Sequence, residues 1–244
     1  MQSKTRGKTL IPKAWIIPEV FRSRVGADVG RQRLMHEEGQ LLVVLHSVPR
    51  AEDKGYREGA LFWVDEVKNW KSFPRSGGRS ALRELVESYR RRIGDLDIEL
   101  DNKSTAEGIH EVIDEAAPVL RAARHMLSVI SELRKELTDD REVLAIRDLA
   151  ISIERGADLL VQDAKTSLDF LIARSAAEQA AEAASATKEA KKLNRLAAFF
   201  FPLMTLASVF GMNRPGDMTD SGGVWFVVFL GLIMGVVVSN ILRK

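Results

Sequence analysis

Two runs without a single charged side chain close this 244-residue sequence, Leu196–Asn213 and Val224–Leu242, and they constrain the fold more than anything upstream. The second run has 19 residues, which as a helix spans roughly 28 Å and matches the apolar thickness of a bilayer. The first has 18 residues between Arg195 and Arg214, and it can lengthen by continuing the helix in front of it. A buried pair of soluble helices is the plain alternative, yet two charge-free runs in tandem are rare in soluble folds. The pattern therefore predicts a membrane hairpin. Lys191, Lys192 and Arg195 flank one end and Arg243 and Lys244 the other, whereas the loop between sets Arg214 against Asp217 and Asp220. That bias places both termini on the cytoplasmic side of the cell (inner) membrane. The N-terminus, MQSKTRGKTLIPK, lacks the apolar core of a signal peptide, so membrane entry falls to the C-terminal spans.

Composition averages over these unlike parts: 45% apolar and 29% charged, with a net charge of +2, reads as an ordinary soluble protein. A pI near 8.9 is weakly basic and gives no argument for a nucleic-acid partner. There are no cysteines, which excludes disulfides and thiolate metal sites. Residues 1–33 carry eight Lys/Arg against Glu19 and Asp28. They read as a solvated, partly mobile arm, with contact to anionic lipid or nucleic acid as the sharper alternative.

Leu41–Leu45 (LLVVL) and Ala60–Val64 (ALFWV) are short apolar runs bounded by Gly39, Pro49, Gly55 and Gly59, and they predict two strands. Ala14–Ile17 (AWII) is a candidate third. From Arg79 the period becomes helical, with Leu82, Leu85, Val86, Tyr89, Ile93 and Leu96 on one stripe. Ser104-Thr105-Ala106-Glu107 matches a capping box, opening a helix that carries Ile109, Val112, Ile113, Ala116, Leu120, Ala123, Leu127, Ile130 and Leu133. Pro118 is expected to kink it. Asp139 and Glu142 repeat the capping signature after a tight turn near Thr138. Beyond them a stripe runs through Ile146, Leu149, Ile153, Ala157, Leu160, Ala164, Leu168 and Leu171. It fades into RSAAEQAAEAASATKEAKK, a composition that favours helix without a greasy face. If unbroken from Asp140 to Asn213, that helix is on the order of 110 Å long, and long helices with a narrow seam associate with copies of themselves.

The expected fold is a mainly α membrane protein. It has a small N-terminal α/β cytosolic domain (1–78), then a helical hairpin and a very long stalk helix (79–192). The stalk continues into the first of two C-terminal transmembrane helices (193–244). Gly231 and Gly235 form a GxxxG on the second span, either a close helix contact or the ordinary glycine content of membrane helices. Pro202 in the first span implies a bend whose freed carbonyl needs a neighbour or water, as in a helix lining a pore.

A Gly-Met-Asn tripeptide, Gly211-Met212-Asn213, closes the first span, and Pro202 lies nine residues before its glycine. With the short loop, the basic end of the second span and the long charged helix entering the first, this pattern resembles the CorA family of divalent-cation transporters. The resemblance covers roughly residues 105–244 and is loose upstream. It implies a homopentamer in the lipid bilayer whose five first-span helices line a pore, with the second spans outside. It implies Gly211, Met212 and Asn213 as the selectivity element, the five Asn213 amides ringing the outer mouth and meeting the metal through its water shell. Mg²⁺ sheds water reluctantly, so an amide ring that bonds to the hydrated ion suits it better than carboxylates that trap it. The family's pore face carries over to Leu193, Ala197, Phe201, Met204 and Ser208, with Thr205 as rival to Met204. Lipid-facing or interhelix packing is the plain reading of the same stripe.

The loop departs from the family pattern. It has Arg214-Pro215-Gly216-Asp217-Met218-Thr219-Asp220 in place of an aromatic-rich loop with Met-Pro-Glu. Arg214 repels an entering cation, and the outer-loop acids Asp217 and Asp220 partly offset it. The transported ion is expected to be Mg²⁺, with Co²⁺, Ni²⁺ or Zn²⁺ as the others such a pore passes, and no cofactor is expected. A zinc transporter or a ligand-triggered ion-leak pore of the same fold is the alternative, and a non-conducting membrane-anchored scaffold a third. Nothing points to an enzyme, because no nucleophile–base pattern or phosphate-cradling loop occurs. His36, His46, His110 and His125 lack ligand spacing and read as surface or packing groups. Asp148, Asp158, Asp163 and Asp169 along the stalk read as a solvated face.

Overall fold

A computed structural model describes residues 10–26, 30–50, 58–212 and 221–241, with backbone only at 206, 207, 209–212, 221–224, 226, 227, 234, 238, 239 and 241. In chain order the elements are α1 (Glu19–Arg24), β1 (Arg33–Glu37), β2 (Gln40–His46), β3 (Gly59–Val64) and β4 (Trp70–Phe73). The helices α2 (Arg79–Asp101), α3 (Ala106–Glu136), α4 (Arg141–Met212) and α5 (Ser221–Ile241) follow. The chain divides into two compact units, Met1–Ile172 and Ala173–Lys244.

In the first unit the four strands form one antiparallel sheet in the order β1-β2-β3-β4. The two apolar runs are its central strands, as expected, and the reason they do not alternate is that both faces are covered. Leu41, Val43 and Leu45 of β2, with Ala60, Phe62 and Val64 of β3, join the large core built with the helices. Leu42, Val44, Leu61 and Trp63 face the other way, onto a smaller core with Ile11, Trp15, Phe21, Val25 and Met35. Residues 10–25 are thus a packed cover for the outer face of the sheet, not the solvated arm their charge suggests. Arg22 spends its guanidinium on the carbonyls of Trp15 (2.6 Å) and Pro12 (3.4 Å), and Arg33 donates to Arg24 O at 2.9 Å.

Ala14–Ile17 is not a strand. Pro12 and Pro18 bracket it, and it presents Trp15 to Trp63 (ring centroids 5.8 Å apart) while Ile16 is 89% exposed. The strands the apolar runs do not reveal are the edges, RLMHE and WKSF, which bury few side chains. The β1–β2 hairpin turns on Glu38 and Gly39, both at positive φ, the geometry of a two-residue turn that matches strand twist. Gly78, ahead of α2, has φ 56°, and a Cβ there would lie 2.7 Å from Trp70 Cβ and 2.9 Å from its carbonyl oxygen. Only glycine fits between β4 and α2.

The helical stripes pack as their period dictates. Leu82, Val86, Tyr89 and Leu96 of α2 are buried against Val112, Ala116, Ala123, Ile130 and Leu133 of α3 and Val143, Ile146, Ile153, Ala157, Leu160 and Ala164 of α4. Both capping boxes fall one residue later than the sequence suggests. Thr105, not Ser104, caps α3, its hydroxyl accepting from Gly108 N at 3.1 Å. Asp140, not Asp139, caps α4, with Oδ1 accepting from the amides of Glu142 (3.0 Å) and Val143 (3.2 Å). α3 runs through Pro118 without a break in its helix.

In the second unit, the remainder of α4 and α5 are two helices joined through residues outside the described set. Among the described residues, no helix is long and apolar enough to cross a membrane.

Candidate functional site

The residues singled out on the first apolar run lie on the last five turns of α4. Leu193, Phe201 and Met204 are 67%, 68% and 66% exposed, Ser208 is exposed and Ala197 half-buried. At about 100° per residue, these five positions fall roughly 120–200° around the helix from Phe199. Phe199 marks the opposite side, because it is where α5 touches: a Cβ on Gly235 would lie 3.0 Å from both Phe199 Cδ2 and Phe199 O. Leu196, Phe200 and Thr205 are exposed on the flanks of the stripe, so the five positions form the centre of an open face. Thr205 turns its hydroxyl back to its own helix, donating to Phe201 O at 2.9 Å.

Gly211 and Met212 are the last residues of α4. Asn213, Arg214, Asp217 and Asp220 lie outside the described residues, as do Arg243 and Lys244. The arrangement offers a helix with one face against its neighbour and the other open, and with the tripeptide at its C-terminal end. Chemically, that open face is weakly polar. It carries one hydroxyl at Ser208 and large apolar groups at Phe201 and Met204, so it can pass or exclude water but holds no ion tightly.

The stalk carboxylates are engaged locally. Asp158 accepts from Arg124 at 2.7 Å and from Gln162 at 2.9 Å, Asp148 pairs with Arg147 at 2.8 Å, and Asp163 and Asp169 are exposed. Among the described residues no group of three or more His, Asp or Glu could hold a metal ion. His36 lies 3.4 Å from Glu136 and His110 3.7 Å from Asp114. His46 is buried, with Nε2 donating to Gly30 O at 2.8 Å and its own carbonyl accepting from Tyr89 OH.

Two features were hidden from sequence reasoning. Arg79 joins the start of α2 to the start of α4, pairing with Asp140 (3.1 Å) and Glu142 (3.4 Å), with its guanidinium 5.5 Å from the Trp70 ring centroid. No local signal marks a contact across more than sixty residues. The second is a cavity of about 790 Å³ between β3 and α2, lined by Arg50, Arg75, Arg91 and Arg92 and by Glu58, Glu84 and Asp95. Its charges are close to balanced, and Arg75–Glu84 (2.5 Å) and Arg92–Glu115 are paired.

The architecture and the tripeptide converge with what the chain is similar to. The family described as CorA-like Mg²⁺ transporter protein matches residues 80–243. This chain belongs to that family. The match reaches from the second residue of α2 to residue 243 of 244, so it includes the stripe, the tripeptide and the loop. Three solved structures share the fold. The complete CorA magnesium transporter from Methanocaldococcus jannaschii aligns with TM-score 0.50 at 15% identity, over 89% of this chain and 80% of that one. The full-length CmaX protein aligns with TM-score 0.60 at 14% identity, over 93% and 82%. The ZntB cytoplasmic domain from Vibrio parahaemolyticus aligns with TM-score 0.51 at 11% identity, over 66% and 80%. No curated protein matches the chain. The family is one of divalent-cation transporters rather than enzymes, and the upstream region, where the sequence resemblance was loose, carries the family fold as well.

Proposed function

We propose that the chain is one subunit of a homopentameric, membrane-spanning channel that passes hydrated divalent cations, Mg²⁺ first among them, down their electrochemical gradient. The observation that carries this reading is the open stripe Leu193, Ala197, Phe201, Met204 and Ser208, which points away from the side of α4 that α5 occupies. Five copies arranged with that stripe inward form a pore, and α5 lies between α4 and lipid. Its outward residues Trp225, Phe229, Leu232, Ile233, Val236 and Val237 are apolar and exposed in the single chain, as a lipid-facing helix requires. Both helices then cross the cell membrane with the termini in the cytoplasm, set by the Lys191, Lys192, Arg195 and Arg243, Lys244 clusters.

Asn213 forms the ring at the outer mouth, with Gly211 giving close backbone approach and Met212 packing behind it. The amide oxygens bond to metal-bound water without stripping it. Phe201 gives a hydrophobic constriction that closes by dewetting. Asp217 and Asp220 draw cations to the mouth against Arg214. In liposomes holding the full chain, Asn213→Ala abolishes selective Mg²⁺ uptake; unchanged uptake sinks this reading. Crosslinking in detergent yields a ladder that stops at five.

A zinc-passing pore of the same build is the second reading, compatible with the likeness to the ZntB domain. Zn²⁺ flux exceeding Mg²⁺ flux under equal gradients decides for it. Monovalent current after a cytosolic trigger marks the ion-leak variant.

A further inference from the structure

Gly231 and Gly235 are the buried positions of α5 among those whose surroundings are described, while their neighbours Leu230, Leu232, Ile233, Val236 and Val237 are exposed. A Cβ added to Gly235 would meet Phe199 Cδ2 at 3.0 Å, Phe199 O at 3.0 Å and Phe199 Cε2 at 3.3 Å. The helices therefore meet nearly backbone to backbone, as a small residue permits. Three residues further along α4 comes Pro202, which has no N–H to offer the carbonyl of Ala198. The hydrogen-bond ladder loses a rung beside the contact, so α4 is easiest to turn or bend where α5 touches it. Phe201, next to Pro202, and Met204 and Ser208 beyond it continue the stripe through this turn.

We propose that Gly235 is a positioning residue. By seating Phe199 against α5 it fixes the rotation of α4 and so decides which side chains face the pore. The inference rests on the reading of α4 as the pore helix. A side chain at 235 meets a carbonyl oxygen at 3.0 Å, which is backbone and cannot swing aside, so the helices must give by a few tenths of an ångström, and α4 gives by turning at its weakened turn. Met204 then leaves the centre of the open face, and Leu203, roughly 40° from Phe199 on the helix, moves toward it.

The absence of cysteine makes the test clean, because a charged thiol reagent modifies only a cysteine that meets water. Met204→Cys and Leu203→Cys are made in the full chain with Gly235, Gly235→Ala or Gly235→Val, each checked for an intact oligomer by size exclusion. With Gly235, Met204→Cys is modified and Leu203→Cys is not. The ratio of the two rates falls in Gly235→Ala and falls further in Gly235→Val. An unchanged ratio across all three backgrounds overturns the inference and leaves the pore reading standing. Failure of the reagent to reach Met204→Cys even with Gly235 overturns the pore reading itself, and this inference with it. If Gly235→Val does not assemble, Gly235→Ala decides alone, since its Cβ asks the neighbour to give by only a few tenths of an ångström.

Discussion

The two units of the chain treat their apolar side chains in opposite ways. Up to Ile172, most large hydrophobic residues are buried within the chain: Leu82, Tyr89, Met126, Ile130, Leu133 and Ile146 are fully buried and both faces of the sheet are covered, while Ile16, Val67, Ile98, Leu159 and Phe170 stay exposed. From Ala173 onward the pattern inverts. The buried positions described on α5 are glycines, while Phe201, Met204, Trp225 and Phe229 stand outward. A side chain buried within its own chain reports stability. A contiguous run left outward marks a surface that meets something other than the chain's own core.

The largest effect that tests this contrast sets a core residue against a stripe residue. Leu133→Ala, in the full chain in detergent, lowers unfolding stability by about 2–5 kcal/mol, the range for deleting a fully buried leucine. Phe201→Ala changes it by no more than about 0.5 kcal/mol and, on the proposed pore reading, instead raises basal ion flux. Tryptophan fluorescence in urea reads the first and liposome flux the second. Equal stability losses for the two would dissolve the comparison.

Next in size is the junction at which the stalk begins. Asp140→Ala removes the cap of α4 and the ion pair with Arg79 together, and costs about 0.5–2 kcal/mol, most of it the cap. The start of α3 sharpens the register of the same argument. Thr105→Ala costs about 1 kcal/mol, while Ser104→Ala, one residue earlier on an exposed side chain, costs almost nothing. A reversed order in thermal melts would move the cap to Ser104.

The smallest effect lies at the β3–β4 turn. Desolvation is the largest single influence on Asp65 and acts upward, but hydrogen bonds from the Asn69 amide and side chain, the Val67 amide, and the charge of Lys71 together outweigh it and hold its carboxyl below the ordinary 3.8. Because the folded value is depressed, its contribution is fully present above 3.8 and fades as pH falls through the lowered value. Asn69→Ala, which removes the donor at 3.0 Å from Oδ2, moves the Asp65 titration upward in carboxyl NMR.

Much of this was legible in sequence because local physics decided it. LLVVL and ALFWV, bounded by turn residues, read as strands, the stripes of α2, α3 and α4 followed the helical period, and the charge-free runs with Gly211-Met212-Asn213 pointed to the family. The edge strands were not legible. RLMHE and WKSF are too short and too polar to announce themselves, and they become strands by pairing with β2 and β3. AWII misled for the converse reason. Its apolar character reports burial of Trp15, and burial on a sheet does not require membership in it. Each capping signature was found but placed one residue early, because adjacent polar residues offer equivalent caps until the chain's path selects one.

Sequence alone therefore determined the period of each helix, the sign of the flanking charge and the kinds of residue at the candidate mouth, all set by side-chain chemistry within a few residues. Tertiary structure decided that residues 10–25 cover a sheet, that Arg79 ties β4 and α2 to the start of α4, and that Gly235 meets Phe199. Each of these is a contact between segments far apart in the chain. Spacing in a sequence fixes which residues share a face of one helix, but only packing fixes which way that face points.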